Sequence, residues 1–421
     1  MKKIVCFGPG PQFKGGIANY NTSLAKAFDK INDVEVHIVS WTQQYPAIIP
    51  RDFIDRKSKE DQLAGTNIKV HYITNYNNPA SWKATVNLIK KLQPEKVIFQ
   101  WAIAIQGLPL GYIAKKLKNI KGVEVVFDLH FVIQKEGSKI DMFFTKKALN
   151  FADSYVVHAM KTADELQMLF PKYNFEIVTP EKEYSGNGIK VLKLFHPVYD
   201  MFKVHPDFDV ESAKKELGLK KHVFLFFGFI RKYKGLHNVI KAFAELSRQR
   251  DDVSLLIVGE SFWNTLNDEK WSTKLKNITF GFAKKLLLKK QDDERNYNPL
   301  ELIQELGIAD NVVVKNDFVP NEEVYKYFQV SDYIMLFYLT ATPSGIESIA
   351  YNFKMPMLAT KVGHFTETVK DGFNGYLAEP ENIASMTEVM KKAINKPINR
   401  ENVAVTSKEM SWDNYAKTIL K

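Results

Sequence analysis

Arg231 and Lys234 stand three residues apart between a very apolar run, His222–Gly228, and a segment of helical periodicity that opens at Leu236. A planar guanidinium can grip two phosphate oxygens at once. An ammonium adds a point charge beside a helix start, where free N–H groups already favour anions. The chemistry this pair suits is departure of a diphosphate. Negative charge grows on the leaving oxygens, so cations fixed there in advance stabilise the transition state more than the ground state. The alternative is two ordinary solvated cations, but such residues are less common between a strand end and a helix start.

Two further loops have compatible chemistry. Gly8-Pro9-Gly10 leads to Gly15-Gly16 just before a helical segment, and only Gly8 and Gly10 fit the dinucleotide-binding spacing, because the third glycine position is Phe13. Gly15 and Gly16 instead offer backbone amides and close approach to a ligand. A tight strand-to-helix turn without a ligand is the other reading. In the third loop, Thr342 and Ser344 precede Gly345, and Ser344 with Glu347 has the S-x-x-E spacing of a capping box. Capping is the first explanation of Glu347. The hydroxyls of Thr342 and Ser344 and the amide of Gly345 can still face an anion at the same helix end.

Each loop follows an expected strand, the position at which doubly wound sheets bind ligands. Short β-branched or aromatic runs at Ile4–Gly8, Val34–Ser40, Ile68–Ile73, Lys96–Trp101, Val123–His130 and Ser154–His158 alternate with helical segments such as Ile17–Phe28, Ser81–Leu92 and Asp141–Phe151. This order implies βαβ units and a parallel sheet. The pattern restarts after Phe195-His196-Pro197, with strands expected at His222–Gly228, Val253–Gly259, Asn311–Phe318, Tyr333–Leu339, Pro356–Val362 and Gly375–Leu377. A long polar and basic stretch between Phe262 and Gly307 interrupts it. Phe280 to Lys290 within that stretch reads as an amphipathic helix, packed on its own domain or lying at a membrane interface.

A chain of 421 residues, 45% hydrophobic and 25% charged, is that of an ordinary globular protein with two or three domains. Cys6 is the single cysteine and sits in an apolar run, so a buried structural thiol in a reducing compartment is expected. No signal peptide and no membrane span is expected; the best apolar stretch, 101–114, is broken by Gln106 and Pro109. The net charge of +10 suits solubility, or attraction to anionic lipid and phosphorylated substrates. Nucleic acid is not expected as a partner, since zinc-finger spacing, an aromatic ribonucleoprotein motif and a dense basic arm are all missing. A nicotinamide enzyme would place an acidic residue after the second strand, where Trp41-Thr42-Gln43 stands instead.

The segments FGFIRKYKGLHNVIKAF, LLIVGE and ATPSGIESIAYNFKMPMLATKVGHFTETVKDGFNGYL, with GGIANY and Phe127–His130 (FDLH) earlier, resemble the retaining GT-B glycosyltransferases close to glycosyltransferase family 4. The resemblance covers most of the chain. It implies two Rossmann-like, doubly wound α/β domains facing across a cleft: an acceptor-side domain over 1–200, a donor-binding domain over 201–395, and a terminal helix over 396–421 crossing back to the first. It implies that Arg231 and Lys234 bind the donor diphosphate, with Gly15 and Gly16 contributing from the first domain. Phe318, Val319 and Pro320 would border the base, with Glu260 near the cleft. His130 would hydrogen-bond a sugar hydroxyl or the acceptor, although a lone histidine at a strand end is often structural.

The implied activity is transfer of a sugar from a nucleotide-diphosphate sugar to a glycan or lipid-linked acceptor, with retention of configuration. No cofactor and no metal is expected, because cations and a helix end neutralise the diphosphate. The setting implied is cell-surface polysaccharide assembly, cytoplasmic and peripheral to an anionic inner membrane face. The chain departs from the pattern at three positions. Phe229 stands where relatives carry arginine, and Ala341 and Ile349 stand where they carry two glutamates. The Thr342–Gly345 pattern matches family branches that bind through hydroxyls and amides. The missing carboxylates also leave room for a second reading, a nucleotide-sugar-binding subunit without transferase activity.

Overall fold

The computed structural model describes residues 1–46, 53–56, 58, 61–133, 139–179, 182–261, 297–341, 343 and 345–421. The stretch 280–290, with its expected amphipathic helix, lies outside these residues. The chain divides into two compact units, the first formed by Met1–Pro197 with Ser411–Lys421 and the second by Val198–Met410 apart from a middle segment.

The first unit holds β1 (Lys2–Phe7), α1 (Gly16–Asp29), β2 (Val34–Gln43), β3 (Lys69–Asn75), α2 (Pro79–Leu92) and β4 (Lys96–Trp101). It continues through α3 (Gly107–Leu117), β5 (Glu124–Leu129), α4 (Lys139–Leu149), β6 (Ser154–Val157), α5 (Met160–Leu169), β7 (Phe175–Val178) and β8 (Ile189–Lys193). The eight strands lie in the order β3-β2-β1-β4-β5-β6-β8-β7, and every pairing is parallel. Parallel strands covered by crossover helices are apolar on both faces, and β1, β4 and β5 show this as almost unbroken buried runs. Phe7, Phe99 and Phe127 lie on adjacent strands, with ring centroids 5.0 Å apart at each step.

Strands β7 and β8 were not expected from the sequence. Both are only four or five residues long (FEIV and IKVLK), with Glu176 and Lys190 interrupting the apolar run, too short a pattern to stand out from a loop. Among the described residues the other strand and helix expectations, apart from the terminal helix over 396–421, where two helices stand (Arg400–Glu409 and Trp412–Leu420), fall within a few residues of the observed elements, the usual spread at element ends.

The second unit contains α6 (Val210–Glu216), β9 (His222–Phe227), α7 (Leu236–Ser247), β10 (Val253–Val258), α8 (Glu301–Glu305) and β11 (Val312–Lys315). It then runs through α9 (Val324–Gln329), β12 (Tyr333–Leu336), α10 (Gly345–Asn352), β13 (Met357–Thr360), α11 (Phe365–Thr368), β14 (Gly375–Ala378), α12 (Ile383–Asn395) and α13 (Arg400–Glu409). Its six-stranded parallel sheet has the order β11-β10-β9-β12-β13-β14. A last helix, α14 (Trp412–Leu420), belongs to the first unit and packs with α1.

Each sheet reverses its direction of growth once. From β1 the chain moves out to β2 and β3, then returns to place β4 on β1's other side. From β9 it moves to β10 and β11, then returns to place β12 beside β9. These reversals open a crevice at the carboxyl ends of β1 and β4 and another at those of β9 and β12.

Candidate functional site

In the second unit three loops follow β9, β12 and β13 and meet over the crevice. The loop after β9 carries Gly228, Arg231 and Lys234, with Lys232–Lys234 forming a short 3-10 turn that runs into α7. Its Tyr233 carbonyl accepts a hydrogen bond from the Leu339 amide at 2.7 Å, tying it to the loop after β12. Gly228 has φ 95, and a Cβ added there would lie 3.0 Å from Lys234 Nζ and 3.0 Å from Ile346 Cδ1. A side chain at this position would take the space the ammonium uses. The same contact places the start of α10 beside Lys234.

Lys234 is only 6% exposed. Among the described residues no carboxylate and no hydrogen-bond acceptor pairs with its ammonium, which lies 6.0 Å from the Tyr338 ring centroid. Desolvation, with the neighbouring Arg231 charge, lowers its pKa to about 7. A buried cation without a counter-ion costs stability, and that cost is recovered when an anion enters. Arg231 caps the 3-10 turn and is half-buried, its guanidinium 5.9 Å from the Tyr233 ring.

Gly345 opens α10, and Glu347 in its first turn is buried. One Glu347 carboxylate oxygen accepts a hydrogen bond from His364 Nε2, on the loop after β13. The other oxygen, and His364 Nδ1, have no hydrogen-bond partner among the described residues. Thr342 and Ser344 lie outside the described residues, and with them the expected capping box. His364 was missed from the sequence. It is separated from Glu347 by 17 residues, and a one-dimensional pattern carries no signal for such a pairing.

Glu260 directly follows Gly259 at the end of β10, and its carbonyl accepts from the Ile230 amide at 3.0 Å, so it borders the β9 loop. Phe318, Val319 and Pro320 are half-buried and follow the edge strand β11, two places from β9. Ala341 and Ile349, the positions without glutamate, are both buried.

In the first unit, Gly15 adopts φ 105 and precedes α1, which begins at Gly16. An added Cβ at Gly15 would meet nothing within 4 Å, so it is this backbone conformation rather than space that calls for glycine. His130 is buried at the end of β5, and its Nε2 donates to Gln100 Oε1 at 2.8 Å. Burial lowers its pKa to about 4, so the imidazole is neutral at pH 7. Gln100 also touches the loop after β1, where a Cβ on Gly8 would meet its Cγ at 2.9 Å. Gln100 was not singled out from the sequence, yet it links His130 to the β1/β4 crevice.

Behind His130 lies a buried polar group. Asp128 Oδ1 accepts from His158 Nε2 at 2.8 Å, and Asp128 Oδ2 lies 2.8 Å from the Tyr20 hydroxyl and 3.3 Å from that of Tyr415. Burial alone would raise the Asp128 pKa, but the adjacent His158 and the hydrogen bonds hold it below its ordinary value. Tyr20 is ringed by His130, His196 and Trp412, with centroids 4.7, 4.9 and 5.0 Å away. Asp128 thereby joins α1, β5, β6 and α14.

The sequence contains one Asp-x-Asp spacing of the kind that can hold a metal ion, Asp207-Phe208-Asp209. Asp209 caps α6 by accepting from the Ser212 amide at 3.0 Å.

The family model "Glycosyl transferases group 1" matches residues 207–410. A D-inositol 3-phosphate glycosyltransferase of Segniliparus rotundus is 27% identical over 253 residues, covering 56% of this chain and 48% of that protein. The chain thus spans about half the length of this curated relative. Among solved structures, Anabaena HepE in complex with UDP and glucose matches with a TM-score of 0.68 at 14% identity, over 100% of this chain and 98% of that one. Sucrose-phosphate synthase from Thermosynechococcus elongatus matches with a TM-score of 0.64, also at 14% identity, over 100% and 97%. Both units therefore have the Rossmann-like organisation of the GT-B fold, and most of the second matches the glycosyl transferases group 1 model.

Proposed function

We propose that this chain is a glycosyltransferase that moves a sugar from a nucleotide-diphosphate sugar to a glycan or lipid-linked acceptor, retaining the anomeric configuration and using no metal. The observation that carries the reading is Lys234, a buried ammonium with no counter-charge among the described residues, at the switch point of the unit that matches the group 1 model. In this mechanism Arg231 and Lys234 take the charge growing on the departing diphosphate. The leaving phosphate helps deprotonate the acceptor on the same face. Neutral His130 offers a hydrogen bond to the sugar or acceptor, and Gly15 and Gly16 offer backbone amides. The bound UDP of the Anabaena protein fits a nucleotide donor, and the setting we favour is cell-surface polysaccharide synthesis at the cytoplasmic side of an anionic membrane.

A thermal-shift screen against nucleoside diphosphates, followed by hydrolysis assays with the matching sugar donors, tests this. We expect a stabilising diphosphate and release of that diphosphate from its sugar; the absence of any binding nucleotide would refute the reading. Ala341 and Ile349, in place of two glutamates, favour the second reading of an inactive donor-binding subunit. Tight binding without turnover on any acceptor would select it.

Binding carries its own pH signature. Lys234, at about 7 when unliganded, is largely neutral at pH 8, and a diphosphate raises its pKa again. Binding at pH 8 is expected to take up close to one proton. Affinity should fall as pH rises above 7, by up to about tenfold per pH unit, the limit for one coupled proton. Calorimetry in buffers of different ionisation enthalpy measures the uptake; a zero value at pH 8 would show that this ammonium does not meet the ligand.

A further inference from the structure

Helices α3 and α4 of the first unit leave an apolar surface uncovered. Leu108 and Tyr112 on α3 are 45% and 36% exposed, and Ile140, Met142 and Phe143 on α4 are 55%, 46% and 53% exposed. Five large side chains on two adjacent helices exceed the scattered exposure normal for a surface. The helices touch through glycines: a Cβ on Gly107 would meet the Phe144 carbonyl oxygen at 2.4 Å, and one on Gly111 the Lys147 carbonyl oxygen at 2.4 Å. Those contacts advance in the same direction along both helices, so α3 and α4 run parallel. Gly107 is level with Phe144 and Gly111 with Lys147, so Leu108 and Tyr112 lie beside the part of α4 that carries Lys146 and Lys147, with Ile140, Met142 and Phe143 about one turn before them and Lys115 and Lys116 about one turn after.

The charge on this pair is one-sided. The two helices carry five lysines and one aspartate, Asp141. Lys147 and Lys116 extend over their own apolar neighbours, 5.4 Å from the Phe143 ring and 5.9 Å from the Tyr112 ring. Apolar side chains bordered by flexible cations suit a surface that is greasy within and negative at its face. Both helices also begin at the carboxyl edge of the sheet, the edge that carries Gly15, Gly16 and His130.

We propose that the α3–α4 face docks the first unit on an anionic lipid bilayer, with Ile140, Met142, Phe143, Leu108 and Tyr112 entering the headgroup boundary and the lysines meeting lipid phosphates. This names the surface through which an acceptor attached to lipid would reach the β1/β4 crevice, and it rests on the transferase reading only for that purpose. Docking itself needs no donor.

Cosedimentation of the full chain with phosphatidylcholine vesicles, with and without phosphatidylglycerol, tests it. We expect binding to the anionic vesicles only, weakened by salt. Ile140→Ser with Phe143→Ser, and separately Lys146→Gln with Lys147→Gln, should each weaken it by roughly tenfold or more. Both variants should keep the wild-type unfolding midpoint and nucleoside diphosphate binding. Lack of vesicle binding by the wild type overturns the proposal, as does undiminished binding by both variants. Dimerisation abolished by the serine variant, with no lipid binding, would instead make the face a contact between two copies of this chain. Because nucleotide binding is measured separately, a failure here is distinguishable from a failure of the transferase reading.

Discussion

Replacing Lys234 by alanine or methionine is expected to cut sugar transfer at least 100-fold, and Arg231→Ala to do the same, each a loss of roughly 3 kcal/mol of charge stabilisation in the transition state. The physical reason lies in how Lys234 is held. Its ammonium is buried, and none of the described residues offers it a counter-charge. A lysine serving only the fold would be paired or would reach water. Two measurements on Lys234→Met therefore separate the roles. Turnover should collapse while the unfolding midpoint stays level or rises, since a long apolar side chain removes an uncompensated buried charge. Near-normal turnover in both the Lys234 and Arg231 variants would refute the assigned diphosphate site. A lowered midpoint in Lys234→Met would assign the residue to the fold instead. The folded protein binds fewer protons at Lys234 than the unfolded chain between about pH 7 and its ordinary 10.5, so this residue's contribution to stability rises with pH across that window.

The second large effect is on stability. Asp128→Ala is expected to cost about 3 kcal/mol or more, because each buried donor left without its acceptor costs about 1–3 kcal/mol. It would leave His158 and the Tyr20 and Tyr415 hydroxyls without their shared acceptor. Four of the six tryptophans, Trp41, Trp82, Trp101 and Trp412, lie in the first unit, so replacing Trp263 and Trp271 by phenylalanine makes tryptophan fluorescence a report on its unfolding. Asp128→Asn keeps the shape and some hydrogen bonding and should cost less. An unchanged fluorescence midpoint in Asp128→Ala would refute the role given to this group. The same cluster makes the unit sensitive to acid. His130 is held at about 4 by burial, so below its ordinary 6.5 the unfolded chain takes up the proton first, and stability falls as pH drops towards 4. His196 is held well below its ordinary value, again chiefly by burial, and acts in the same direction.

Arg231, Lys234 and the glycine turns could be read from the sequence because their chemistry is local. Each sits where an apolar run ends and a helical period begins, and the sheet order then puts two of the loops at switch points. Burial was not readable in the same way. Nothing in the pattern KYKG says that Lys234 faces inward, and Asp128 within FDLH looks like any polar residue near a strand end. The Glu347–His364 pair was out of reach for a different reason: strands β12 and β13 bring the two residues together, and capping explained Glu347 by local spacing alone. Strands β7 and β8 were lost because Glu176 and Lys190 break their short apolar runs.

Tyr415 and Trp412, which complete the surroundings of Asp128 and Tyr20, come from α14, whereas every other described strand and helix of that unit lies before residue 198. During synthesis the whole second unit leaves the ribosome in between. It can fold while the first waits with its carboxylate incompletely partnered. The first unit is thus begun first and finished last, and a nascent chain halted before residue 411 would hold a folded second unit beside an unfinished first.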